Sequence, residues 1–261
     1  VTPTLRMMSL SHRIAEGEYE ERLSLPGGQQ ADQIDELGQL ALSFNQMADK
    51  LEKIETMRLE LIGDITHELR TPLTAVKGYL EGLMDGVLPA DPETYQQIHS
   101  EIDRLQRLVN DLQELSRVEA GAFQLRLTPV SPSSLIERIQ STLGRQFEEK
   151  NIQLEISVES DLPDLLVDKD RIIQVLTNLV GNALQYTSSG GKVSLQVRRE
   201  LSEVLFSVKD SGIGISAEQL TFIFNRFYRT DKSRARASGG SGIGLTIAKA
   251  LVQAHHGRIW A

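Results

Sequence analysis

The chain has 261 residues, so by ordinary domain size it is expected to hold more than one compact unit, with at least one sizeable core. Its formal net charge is −8 with no dense Lys/Arg block, which argues against nucleic acid as a partner, and the absence of cysteine excludes disulfide frameworks, thiolate zinc sites and cysteine nucleophiles. Hydrophobic residues make up 40% but aromatics only 5%, so the apolar contacts must be mostly aliphatic, as suits helix bundles and coiled coils.

Residues 1–52 read as two short amphipathic helices joined by an extended connector. The first runs from about Thr4 to Glu16, with Pro3 near the helix start, where proline costs least, and Gly17 at its end. The stretch Tyr19–Gln30, with Leu23, Leu25, Pro26, Gly27 and Gly28, cannot be a regular helix. From Asp35 an apolar series runs Leu37, Leu40, Phe44, Met47, Leu51, Ile54, Leu61 and Ile65 in steps that are mostly three and four, the seam of a parallel dimeric coiled coil. A short helix packed on a globular core gives a similar pattern.

The helix is expected to continue through Leu69, Val76, Leu80 and Leu83 to about Gly86. Val87–Pro92 then forms a turn before a second helix carrying Ile98, Ile102, Leu105, Val109, Leu112 and Leu115 on one face. Residues 53–118 thus read as an antiparallel hairpin, and two hairpins from two copies complete a four-helix bundle. Residues 119–132, rich in Gly, Pro and Ser, read as a linker. In residues 133–261 helices at Ser133–Lys150, Asp168–Thr187 and Gly244–His256 are interspersed with strands around Ile152–Val158, Val193–Arg199 and Val204–Lys209, the texture of an α/β sandwich with helices on one face. The predicted fold is therefore multidomain: an all-α coiled coil and bundle followed by an α/β sandwich. No run approaches the roughly 18 apolar residues that span a bilayer. The sequence begins without Met and reads as starting mid-protein, which leaves room for a membrane-spanning segment before it.

Four segments carry chemistry. In His67-Glu68-Leu69-Arg70-Thr71-Pro72-Leu73, His67 falls off the apolar stripe and faces solvent. A neutral imidazole is a competent nucleophile because its ordinary pKa is about 6.5, and Glu68 could accept from Nδ1 and leave Nε2 as the attacking lone pair. Pro72 should bend the helix. His67 taken alone would be an ordinary surface histidine. The full string resembles the H-box of the sensor histidine kinases of two-component systems. That resemblance implies that His67 is the phospho-acceptor, that Glu68 assists proton removal, and that Thr71 orients water when the partner regulator is dephosphorylated. His12, His99, His255 and His256 read as surface or capping residues.

In Asn178-Leu179-Val180-Gly181-Asn182-Ala183-Leu184-Gln185-Tyr186, two asparagines share one helical face. They either hydrogen-bond between elements or offer hard oxygen ligands for Mg²⁺ and phosphate. Asp210-Ser211-Gly212-Ile213-Gly214 follows a strand; its carboxylate can accept from the exocyclic amine of adenine, which guanine lacks at that edge. Gly239-Gly240-Ser241-Gly242-Ile243-Gly244-Leu245 opens the last helix, whose N-terminal N–H groups suit phosphate, and no P-loop is present. These three segments resemble the ATP-binding domain of the same kinases, and Phe222–Arg229 resembles its F-box. The resemblance implies ATP contacts at Asn178, Asn182, Tyr186, Asp210, Gly212, Gly214, Gly240, Ser241, Gly242, Gly244 and Leu245, Mg²⁺ at Asn182, and Arg229 on the γ-phosphate. Gln185 stands where the family usually has a basic residue. Lys232, Arg234 and Arg236 read as a solvated basic loop.

By the same resemblance residues 1–52 form a HAMP relay, with Pro3, Gly17, Asp35-Glu36-Leu37-Gly38 and Phe44-Asn45-Gln46-Met47 matching its pattern. The implied protein is a homodimeric membrane receptor's inner portion that phosphorylates itself from Mg-ATP and passes the phosphoryl group to an Asp of a response regulator. After His255–Ala261 the family continues through closing strands, so the sheet is expected to lack part of its edge. Two other readings stay open. A water-using ATPase of the gyrase and MutL kind would place a Glu where Asn178 stands, and a non-enzymatic scaffold would bind neither ATP nor GTP.

Overall fold

The structure, a computed structural model, describes residues 3–23, 36–119, 124–229 and 241–261. Asp35, Gly239, Gly240, Lys232, Arg234, Arg236 and part of the expected connector and linker lie outside the described residues. The chain divides into two compact units, residues 1–68 and 69–261.

In the first unit α1 spans Pro3–Ala15 and packs on the long helix α2, Glu36–Met84. Gly17 takes φ +94°, a backbone angle that side chains resist, and so ends α1. Leu10, Ile14 and Ala48 form the core, with Tyr19, Leu23, Phe44 and Leu51 against it. Asn45 holds the start of the connector as a strand neighbour would: its Oδ1 accepts the Leu23 N–H at 2.8 Å and its Nδ2 donates to the Leu23 carbonyl at 3.0 Å. The predicted seam splits in two. Phe44 and Leu51 turn onto α1, whereas Leu40, Met47 and Ile54, seven residues apart, stay 55%, 46% and 57% exposed.

In the second unit the remainder of α2 is followed by a turn and α3, Pro92–Glu119. Gly86 adopts φ +70°, and the N–H groups of Val87 and Leu88 both donate to the Gly82 carbonyl at 2.9 Å. Asp91 starts α3 by accepting the Thr94 N–H at 2.8 Å. Beyond α3 come β1 (Thr128–Val130), α4 (Pro132–Glu149), β2 (Gln153–Val158), β3 (Leu165–Val167) and α5 (Lys169–Tyr186). They are followed by β4 (Lys192–Glu200), β5 (Glu203–Asp210), the single turn α6 (Ala217–Leu220) and α7 (Gly244–Ala254).

One sheet has the order β2-β4-β5, with β2 parallel and β5 antiparallel to β4. The other pairs β1 with β3, antiparallel. Alternate residues Val193, Leu195 and Val197 of β4 face inward and pack with Leu135, Ile139, Phe147, Leu176 and Val180 of α4 and α5. This is the helix-on-sheet architecture expected. Within residues 119–132, read as a linker, α3 ends at Glu119 and β1 lies as a sheet strand.

Candidate catalytic and nucleotide-binding site

His67 is exposed on α2 between the half-buried Ile65 and Leu69, as its place off the stripe requires. Glu68 is half-buried and Thr71 exposed. Pro72 is buried, and α2 runs through it without a break. Its ring nitrogen carries no hydrogen, so it cannot donate to the Glu68 carbonyl four residues back.

The nucleotide-type segments converge where α5, the turn after β5 and the start of α7 meet. Asp168 caps α5: its carboxylate accepts the Arg171 N–H at 3.2 Å and the Arg126 N–H at 3.0 Å. Burial pushes this carboxyl up, but those backbone donors outweigh it and hold the group below its ordinary value. The Asp168 N–H in turn donates to His255 Nε2 at 3.1 Å, while His255 Nδ1 bonds the Leu251 carbonyl at 2.7 Å. His255 is therefore a tie between α7 and α5, a role that its sequence surroundings did not suggest. At the other end of α5, Lys150 Nζ donates to the carbonyls of Leu184 and Gln185 at 2.7 and 3.0 Å, a cation at a helix C-terminus.

Asn178 and Asn182 are both half-buried on α5. Asn178 Nδ2 donates to the Gly244 carbonyl at 2.9 Å, so one asparagine makes the inter-element bond that was the plainer of its two readings. Its Oδ1 keeps acceptor capacity, and Asn182 lies one turn further on. Asp210 closes the turn after β5, its Oδ1 accepting the Gly212 N–H at 2.8 Å. A Cβ on Gly212 would lie 2.5 Å from the Tyr186 carbonyl oxygen and 2.7 Å from Asp210 Oδ1. Only glycine lets the Asp210 turn come this close to the end of α5. Gly214 adds φ +69°.

Gly242 is required twice: it sits at φ +73°, and a Cβ there would lie 3.0 Å from the Phe227 backbone. Thr246 Oγ1 donates to the Phe224 carbonyl at 3.0 Å, and Lys249 Nζ lies 5.7 Å from the Phe224 ring centre. These contacts seat Phe222–Tyr228 on α7, with the half-buried Arg229 following. Ser241, Gly242, Gly244 and Leu245 thus open α7 beside Asn178 and the Phe227 turn. The arrangement fits a purine nucleotide: a carboxylate at a glycine-lined turn, a helix N-terminus, and asparagine oxygens between them. Among the described residues no group of three His, Cys, Asp or Glu could hold a metal by itself. Mg²⁺ brought with phosphate oxygens, with an asparagine oxygen added, suits such a donor set.

Family models match three consecutive stretches: a HAMP domain over residues 1–53, a His Kinase A (phospho-acceptor) domain over 57–121, and a histidine kinase-, DNA gyrase B- and HSP90-like ATPase over 167–261. The chain belongs to the sensor histidine kinases of two-component systems. These are the domains of an ATP-dependent histidine kinase. The kinase is 40% identical over 264 residues to the signal transduction histidine-protein kinase BaeS of Escherichia coli, covering all of this chain and 54% of that protein. It is 40% identical over 219 residues to the sensor histidine kinase WalK of Bacillus subtilis, covering 80% of this chain and 35% of that one. The chain thus spans about half the length, or less, of these relatives. Among solved structures, the Acinetobacter baumannii histidine kinase AdeS superposes with a TM-score of 0.60 at 28% identity, over 72% of this kinase and 86% of that chain. No described helix of the kinase is long and apolar enough to cross a membrane.

Proposed function

We propose that this chain is the signalling core of a receptor that phosphorylates His67 from Mg-ATP and then passes the phosphoryl group to an aspartate of a separate response regulator. The observation that carries the reading is the meeting of Asn178, the Asp210–Gly212 turn and the Ser241–Leu245 helix start in a chain that also presents an exposed His67 in its H-box string.

Asp210 selects the base: one carboxylate oxygen is committed to the turn, and the other accepts from the 6-amino group of adenine. Tyr186 lies along the base, with Gly212 and Gly214 keeping the turn clear of it. The N–H groups at Gly242–Leu245 receive phosphate at the α7 N-terminus. Asn182, with Asn178 beside it, would hold Mg²⁺, which when bound neutralises charge on the phosphate oxygens. Arg229 stabilises charge on the γ-phosphate. His67 Nε2 attacks the γ-phosphorus, the bond to the bridging oxygen of ADP breaks, and the Nδ1 proton passes to Glu68. Thr71 positions water for removal of phosphate from the regulator. A second copy of the chain completes the helical bundle, and the HAMP relay joins the core to a membrane-anchored sensing part, on the inner face of the membrane.

His67→Gln should abolish acid-labile labelling from γ-labelled ATP while leaving nucleotide binding intact. Label that survives the substitution would overturn the assignment.

A further inference from the structure

Asp111 lies on α3, inside the phospho-acceptor match, yet it touches the helix start assigned to phosphate. The Ser241 hydroxyl donates to Asp111 Oδ2, and its oxygen accepts the Ile243 N–H at 3.3 Å. Three residues along α3, Glu114 Oε2 accepts from Arg171 Nη1 at 2.8 Å, with both side chains largely buried. Leu108 and Leu115, on the same helical face as Asp111, are 4% and 2% exposed. The contact is therefore a packed interface with two polar ties, one to the α7 opening and one to the first turn of α5.

The tie to α7 has the wrong sign for a nucleotide site. A carboxylate held on the hydroxyl of Ser241 presents negative charge to the helix end that should receive a triphosphate, and partial burial reduces screening by water. Burial also pushes the Asp111 carboxyl up, with the Ser241 hydrogen bond and Arg107 pulling it back, so a charge is costly in this seat. Arg107, Glu114 and Arg171 are the other charged groups nearby.

We propose that Asp111 is an autoinhibitory latch: its carboxylate on Ser241 and the triphosphate of ATP exclude one another, so that nucleotide binding frees the α7 opening from α3. The proposal rests on the reading that Ser241–Leu245 binds phosphate. Asp111→Asn keeps an acceptor for Ser241 but removes the charge. In the full chain with Mg²⁺ it should bind a non-hydrolysable ATP analogue at least fivefold more tightly than the parent, with adenosine binding unchanged. Asp111→Ala, which removes both the charge and the acceptor for Ser241, gives a second measure and should tighten analogue binding in the same direction. Unchanged or weaker analogue binding by both variants overturns the latch alone. If the parent chain binds no ATP analogue, the phosphate reading fails and the latch falls with it.

Discussion

The helical part of the kinase and its α/β module solve the same problem differently. The module closes its own core: Leu135, Ile139, Val180, Val193, Leu195 and Leu251 are 0% exposed. The helices leave a second set of apolar positions open. Leu40, Met47 and Ile54 in the first unit, and Ile102 and Val109 in the second, lie 44–57% exposed, while their neighbours are packed within the chain. An exposed leucine alone means little, but a heptad row of them on a long helix is half of a seam. A module with a complete core needs no further surface for burial, whereas the helices would reach full burial only against another apolar face, such as that of the proposed second copy. That division fits the proposed signalling role, in which a dimeric part would respond to strain that the catalytic part should resist.

The largest effect that would test this contrast is inside the module. Phe147 of α4 is 1% exposed and packs in the sheet-facing core. Phe147→Ala should cost about 3–5 kcal/mol, from lost transfer energy plus the cavity left behind. Urea unfolding followed by circular dichroism would measure it. A cost below about 1 kcal/mol would mean that the module's core is far looser than its burial implies.

A smaller effect is expected from Ile54→Glu. In a lone chain this exposed residue contributes little, so the substitution should leave unfolding of the module unchanged. Across a dimer seam it would bury two carboxylates against each other, and dimer affinity should fall at least tenfold by sedimentation equilibrium. Equal affinity in the parent and the variant would break the contrast, since the row at 40, 47 and 54 would then not be a seam.

Much of this organisation was legible in the sequence because it depends on local regularities. The alternation in β2, β4 and β5 and the apolar faces of α4 and α5 follow from side-chain direction alone. The start of a helix at Asp168 was legible because a helix N-terminus is decided by the few residues around its cap. The strands β1 and β3 were not legible: with three residues each they are too short to show a period, and they exist because each pairs with the other. The heptad row was read as one seam, but the docking of α1, which no spacing within α2 encodes, takes Phe44 and Leu51 out of it. At the site, the glycines and asparagines stood out by residue type. The bond from Asn178 to Gly244, the tie of His255 to Asp168 and the seat of Asp111 on Ser241 join residues 66, 87 and 130 positions apart, and only the packed fold brings them together.

The smallest effect concerns the polar counterpart of the module's closed core. The ion pairs of the first unit, such as Arg22 with Asp49, are solvent-exposed and worth little individually. Asp168 differs because two backbone N–H groups converge on its carboxylate and its own N–H is bonded to His255. With a folded-state pKa below the unfolded value, its carboxylate contributes stability that is present above the ordinary aspartate pKa of about 3.9 and lost as pH falls through the lower, folded value. Asp168→Asn keeps one acceptor but turns an amide N–H toward the other donor, so it should cost about 1 kcal/mol at pH 7. Because the amide does not titrate, that cost should shrink as the parent's carboxylate is protonated. Urea midpoints for both proteins at pH 7 and in steps below pH 4 would show it: the two curves should converge in acid. A gap that stays constant would mean that Asp168 acts through packing, and the module's polar ties would then be no stronger than the exposed pairs around Arg22.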